Sequence, residues 1–415
     1  METILSQKER DCLRRLVADY MEAATLTVQK EKIELWKALN RRQMQRPMVV
    51  IDQLPWNELQ CDELCLEIAD PYWRAVENML RQTLYKWRHF PVDMVLDPFI
   101  GISKVYSNTG YGLDAQVETR GVEDSTAKAQ RFTNILKNLE DVKKITDCRL
   151  TYNAEATERV AAQAEELFGD LAPVRLMGHS FHIGIWDFVT QWMSVEDAYY
   201  AFVDEPELLH AIMERMTEAT LVAIEDANRL GLHNDLANTC HCSYIYTDEL
   251  LPYSGEGKGP YSQNCWAFGL AQLFTSLSPA QFEEFELPYV TRLAEKFGML
   301  YYGCCDKLDD RLDLVKRIPH VRKVSCSPWS NREHFAACLG PELIMSNKPT
   351  PALLATDAFH EEEIRADLCR TCEAARRYNV NLELILKDVS TVRNDPARLT
   401  RWADIAMQVV EKYAR

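Results

Sequence analysis

The chain has 415 residues, 47% of them hydrophobic, and a formal net charge of −16. That surplus of acid excludes a nucleic-acid binder, which needs a basic face to displace counterions from phosphate. No apolar run reaches the ~18 residues of a membrane span, and Met1-Glu-Thr-Ile-Leu-Ser-Gln-Lys-Glu-Arg10 contains no signal-peptide core. The thirteen cysteines therefore read as reduced thiols of a cytoplasmic protein, not as a disulfide framework.

In chain order, Leu13, Leu16, Val17, Tyr20 and Met21 recur at helical steps within a helical stretch from Ser6 to Asn40. Arg46-Pro-Met-Val-Val-Ile-Asp52 is a first short apolar run ending in an acid. A helix from Pro71 to Arg88 leads to a second, Val92 to Pro98. The polar stretch Tyr106–Thr126 is too long for a plain connection and reads as a lid or active-site loop. The third run, Val174 to His179, enters Ser180-Phe-His-Ile-Gly-Ile-Trp186. Ser194 with Asp197 resembles a capping box, and an amphipathic helix from Glu207 to Leu230 closes at Gly231.

The fourth run, Asn234 to Cys242, ends Cys240-His241-Cys242, and an insertion rich in Gly and Pro follows over Tyr244–Gln263. Ser278-Pro279 starts a helix to Phe297, which feeds the fifth run, Met299-Leu-Tyr-Tyr-Gly303. The sixth is Val321–Cys326, the seventh Glu342–Asn347 and the eighth Leu382–Asp388, each preceded or followed by a helical segment. Eight apolar runs separated by helices predict an α/β fold, a (β/α)8 TIM barrel over 46–415 with an N-terminal helical extension over 1–45. A doubly wound sheet is disfavoured because no Gly-x-Gly-x-x-Gly follows a strand.

In a barrel, chemistry sits at the C-terminal ends of strands. Read in order, those ends carry Asp52, Asp97, His179 with His182, Cys240-His241-Cys242, Cys304-Cys305-Asp306, Cys326, Asn347-Lys348, and Glu383 with Lys387-Asp388. Three consecutive strands end in cysteine. Thiolate, imidazole and carboxylate spread over several strands suit an open catalytic zinc site. Two other uses stay open: a cysteine nucleophile paired with a histidine base, and small buried thiols that only pack. The metal candidates are Cys304, Cys305, His241, Cys326 and Glu383. Asp306, Tyr302 and Lys348 are the catalytic candidates, and His179, His182, Trp186, Asp52 and Tyr261 are placed around substrate.

Several stretches are similar to the uroporphyrinogen decarboxylase superfamily, (β/α)8 barrels that include cobalamin-dependent methyltransferases. They are Leu176-Met-Gly178, Asp204-Glu-Pro-Glu-Leu-Leu209, Ser278-Pro-Ala-Gln-Phe-Glu-Glu-Phe285, Tyr302-Gly-Cys-Cys-Asp306, Pro319-His-Val-Arg-Lys-Val-Ser325 and Leu343 to Leu354. Where the decarboxylases carry an arginine for their polycarboxylate, this chain has Asp52, which would repel one. The methyltransferase branch carries His-x-Cys at a strand end, and Tyr302-Gly303-Cys304 resembles it with tyrosine in place of histidine. The resemblance implies a zinc-dependent methyltransferase that passes a methyl group between a small methoxylated or methylamine-type compound and a corrinoid partner protein. Cys305, His241, Cys326 or Glu383 would complete the metal shell. No Asp-x-His-x-x-Gly corrinoid-binding element occurs in the chain, so the cobalamin would come with the partner; a homodimer is a further expectation. The alternatives are a metal-independent decarboxylase or lyase on a small acid, and a non-catalytic tetrapyrrole or corrinoid binder.

Overall fold

A computed structural model describes residues 5–120, 129–250, 253 and 259–415. The portions of the two expected loops at 121–126, 251–252 and 254–258 lie outside the described residues.

Helix α1 (Gln7–Ala24) opens on a reciprocal cap: Ser6 accepts from the Glu9 amide and the Glu9 carboxylate accepts from the Ser6 N–H. This satisfies two donors that the first helical turn leaves free. The one helix expected over 6–40 is in fact two, with α2 spanning Thr27–Asn40. At the break the Thr25 hydroxyl bonds back to the Met21 carbonyl at 2.8 Å, the side-chain competition by which threonine weakens a helix. Trp36 of α2 is fully buried and donates to the Asp93 carbonyl at 2.8 Å, so the N-terminal helices share the main core.

The centre of the molecule is a six-stranded parallel sheet. Its strands are β1 (Met48–Ile51), β2 (Trp266–Gly269), β3 (Met299–Tyr302), β4 (Val321–Cys326), β5 (Ile344–Asn347) and β6 (Asn381–Leu386), in the spatial order β1-β6-β5-β4-β3-β2. Helices at Pro279–Phe285 and Leu287–Ala294, Leu312–Val315, Arg332–Leu339 and Glu361–Arg377 form the crossovers, as parallel pairing requires. Every residue of β1, β2, β3, β5 and β6 is buried, the condition of a sheet covered on both faces. Registers Met48↔Glu383, Ser346↔Glu383 and Cys326↔Asn347 bring the strand ends level on one face.

Both edges of this sheet carry further backbone contacts, that beside β2 being parallel. The Asp93 amide donates to Val49 at 3.0 Å beside β1. Ile183 donates to Phe268 at 2.7 Å beside β2, where His182 and Phe268 form a bridge. Val174–Met177 pairs in parallel with Ile100–Ser103 as a separate two-stranded sheet.

Two expectations need correction. The fourth run does not enter the main sheet; it ends in a small antiparallel hairpin, Thr239–Cys240 with Ser243–Tyr244. Its place is taken by β2, Trp-Ala-Phe-Gly, a four-residue run whose two aromatics are offset by an alanine and a glycine, a weak local strand signal. The Val92–Leu96 run is buried but is not assigned as a strand; the Asp93 side chain instead accepts from the Val49 amide at 2.8 Å and pairs with Arg46 at 2.6 Å.

Candidate active site

The strand β3 ends at Gly303, whose φ of +89° turns the chain off the sheet. A side chain there would be strained, and its Cβ would meet Leu308 at 2.8 Å. Beyond this turn the alternation of a strand no longer applies, so the neighbours Cys304 and Cys305 face one another, Sγ to Sγ at 3.6 Å. The turn is held by Asp306, whose Oδ1 accepts from the Cys304 amide at 2.7 Å, and by Ser325, whose hydroxyl donates to the Cys304 carbonyl at 2.5 Å.

Three more elements converge on Cys304. The hairpin tip presents His241, with Nε2 at 3.3 Å from the Cys304 sulfur. Its imidazole lies flat on Phe268 of β2, centroids 4.2 Å apart and planes 7° apart. The end of β6 presents Lys387, whose Nζ is 3.1 Å from Cys304 Sγ and 3.2 Å from His241 Nε2. Asp388 then accepts from the Cys305 thiol at 3.1 Å and pairs with Lys387 at 3.2 Å. His241 (φ 49°) and Asp388 (φ 54°) both occupy left-handed backbone, unusual for side-chain-bearing residues and concentrated at sites where function holds strain. His182 packs on the same Phe268 ring at 5.1 Å.

These neighbours favour the ionised form of Cys304. The adjacent Cys305, then hydrogen bonding with His241 and the charge of Lys387, outweigh burial and pull its pKa down to about 3. Cys305 is pushed up by the neighbouring Cys304 and by partial burial. Burial works to lower Lys387, but the adjacent Cys304 thiolate raises it, so it remains an ammonium ion. His182 is lowered by burial and then by His241. An acid group lies beside the thiolate. Burial, then Asp306 and Cys304, raise Asp187 to about 6; burial raises Asp306. Glu286, which accepts from the Tyr302 hydroxyl at 3.0 Å, is raised to about 8, chiefly by burial.

The other sequence-derived candidates lie as follows. Lys348 is buried, donates to Ser346 Oγ at 2.8 Å and to the Tyr301 hydroxyl, and is lowered by burial to about 8. Tyr301 packs edge-on against His241, centroids 5.8 Å apart, which links Lys348 to the site. Cys326 accepts from the Asn347 amide at 3.5 Å, and burial pushes its pKa up to about 12. Glu383 forms a fully buried pair with Lys323 at 2.8 Å, shared with Ser243. Neither reaches the Cys304 cluster. Asp52 pairs with Lys86 at 3.2 Å. His179 meets the Tyr106 hydroxyl at 2.8 Å. Trp186 packs with Phe202 and Phe274 in the core, and Tyr261 is 41% exposed beside Tyr253.

Sequence reasoning left out Phe268, Asp187 and Glu286, and gave no role to Lys387. Lys387-Asp388 at a strand end was the available signal; Phe268 had none once its strand went unseen.

Among the described residues, one group of three has ligand atoms all within 4.8 Å of one another: Cys12, Glu67 and Glu77. Arg81 lies within it, donating to Glu77 at 2.8 Å, Glu67 at 3.0 Å and Cys12 at 3.4 Å.

The fold is thus of the α/β class, with its thiolate at the C-terminal ends of parallel strands. No protein-family profile matches the chain, and no curated protein matches its sequence. Among solved structures it is similar to a methyltransferase from Methanosarcina mazei, with a TM-score of 0.50 and 11% identity over 90% of this chain and 97% of that one. At that identity the likeness is one of fold.

Proposed function

We propose that the chain is a methyltransferase of the uroporphyrinogen decarboxylase-like (β/α)8 class, with Cys304 as the group that handles the methyl. The observation that carries this reading is the Cys304 sulfur, set at strand ends within 3.1 Å of Lys387, 3.3 Å of His241 and 3.6 Å of Cys305. The contacts at both sheet edges and the methyltransferase of similar fold support it. The substrate in this reading is a small methoxylated or methylamine-type compound and the partner a corrinoid protein. A bound corrinoid would supply a cobalt centre able to give or take a methyl group.

The chain's own residues supply the rest. Lys387 and His241 hold sulfur ionised without a free base having to remove its proton at the moment of reaction. Cys305 keeps its proton and directs it to Asp388, leaving the Cys304 sulfur to Lys387 and His241. Phe268 and Tyr301 wall the imidazole against water, which strengthens these electrostatic contacts. Asp388, 49% exposed on its side chain, marks the open side.

A zinc ion is tested on the donor set. Two ligands of a tetrahedral zinc lie ~3.5–3.8 Å apart, given bonds of ~2.0–2.3 Å, and Cys304–His241 at 3.3 Å and Cys304–Cys305 at 3.6 Å approach that. These three atoms do not, however, form a mutually close set, and the Lys387 ammonium lies against both the thiolate and the imidazole. The residues as arranged do not fit zinc, and no step is drawn through it.

The test is methyl transfer from a panel of methoxylated and methylated-amine compounds to a reduced corrinoid, followed by its visible spectrum. Cys304→Ala is expected to lose at least about 10³-fold in rate; full activity in that variant would overturn the reading. The buried Lys348 amine, drawn to about 8, favours a second reading, a carboxy-lyase using it as an acid–base group. Carbon dioxide release from a small acid, abolished by Lys348→Met and indifferent to Cys304→Ala, would select it.

A further inference from the structure

We infer that Lys387 takes the place of a metal at this site, and that Cys304 accepts the methyl group itself as a metal-free nucleophile. The inference rests on the proposed methyl-transfer activity but concerns how the sulfur is activated.

The geometry points to it in three ways. First, the Lys387 ammonium is placed as a bound cation would be, 3.1 Å from the thiolate and 3.2 Å from the imidazole nitrogen. Both atoms that a soft divalent ion would use lie within hydrogen-bonding distance of the Lys387 nitrogen. Second, Lys387 is held there. It follows β6, all six residues of which are buried, is itself 3% exposed, and pairs with Asp388 at 3.2 Å. A lysine so enclosed cannot swing aside without leaving a buried thiolate unpaired. Third, the remaining candidate donors are committed elsewhere: Glu383 to Lys323, Cys326 to the Asn347 amide, and Tyr302 to Glu286.

An ammonium holds one sulfur lone pair by a hydrogen bond and forms no coordinate bond, so another lone pair stays available to the methyl group. In the step proposed, a sulfur lone pair of Cys304 forms the S–CH₃ bond while the bond from methyl to its leaving atom breaks and the electron pair departs with that atom. The departing alkoxide or amine takes a proton from water at the open side, and Lys387 keeps its own. The products are S-methylcysteine at 304, the protonated leaving group and hydroxide.

Two measurements on the full-length protein decide it. Protein dialysed against buffered zinc and then freed of unbound metal is expected to retain less than about 0.1 zinc per chain at Cys304. One zinc per chain that disappears in Cys304→Ser would overturn the inference while leaving the methyltransferase reading intact. Second, native protein is exposed briefly to methyl iodide and mapped by peptide mass. Cys304 is expected to gain a methyl group ahead of the other twelve cysteines. That labelling should slow at least about tenfold in Lys387→Met and stay within about threefold of native in Lys387→Arg, which keeps a cation. Equal labelling in native and Lys387→Met protein, or an unlabelled Cys304, would contradict it. Should Lys387→Met fail to fold, the Lys387→Arg rate and the zinc content still decide. A chain that labels at Cys304 but transfers no methyl onward refutes the activity alone.

Discussion

Two cysteines in this molecule sit within clusters of charge, and they differ in the sign of what surrounds them. Cys12, on α1, lies among Glu67, Glu77 and Arg81. Its pKa is raised chiefly by burial; Arg81 and, more weakly, Arg15 pull it down while Glu67 and Glu77 push it up. Cys304 meets an ammonium, an imidazole and a thiol, and its pKa falls to about 3. Both are buried, so burial alone does not separate them. The Cys12 cluster is closed on itself: Glu77 accepts from the amides of Glu67 and Ile68 and from Arg81. At Cys304 the Lys387 ammonium lies directly against the sulfur, 3.1 Å away. Charge around a thiol, more than its burial, distinguishes a structural cysteine from a reactive one.

The largest expected effect is at the reactive cluster. Cys304→Ala should abolish methyl transfer, at least about 10³-fold; retained turnover would erase the contrast. At the Cys12 cluster the same scale of disruption should appear in stability instead. Arg81→Met leaves the fully buried Glu77 without its cation, and denaturant unfolding should show a loss of about 3–5 kcal/mol, with activity of the surviving folded protein unchanged.

A smaller effect is carried by Glu286. Its folded pKa, about 8, stands above the ordinary value of 4.5 because burial disfavours its charge. A raised acid stabilises the fold fully below its unfolded pKa and loses that contribution as pH rises through the folded value, so native protein should weaken between about pH 4.5 and 8. Glu286→Gln, which keeps an acceptor for Tyr302, should flatten that slope by on the order of a few kcal/mol; parallel curves for the two proteins would refute it. Least of all, Lys348→Met should alter stability by no more than about 1–2 kcal/mol, since a volume-matched apolar side chain replaces a buried amine.

The sequence made much of this architecture readable, for physical reasons that vary along the chain. Helix starts at Ser278-Pro279 and Asp70-Pro71 and the stop at Gly231 follow from capping chemistry alone. Strands β1, β3, β4, β5 and β6 show as short apolar runs, whereas β2 is less legible, because its alanine and glycine offset the strand preference of its tryptophan and phenylalanine over only four residues. The cysteines at strand ends were visible, but which of them meet was not. Cys326 and Cys304 look alike in the sequence, yet Cys326 is still inside its strand and turns to Asn347, while Gly303 frees Cys304 to turn toward the open end. The meeting of Lys387 with Cys304 joins residues 83 positions apart. It depends on the order of β3 to β6 in the sheet, a property of long-range register that no local pattern encodes.

The contrast between the two thiols is tested most directly by labelling native protein with iodoacetamide at pH 5 and mapping the modified cysteines. Thiolate, not thiol, reacts. The account predicts that Cys304 is alkylated at pH 5 while Cys12 is untouched. Alkylation of Cys304 that begins only near pH 8 and rises together with that of an ordinary thiol would contradict it.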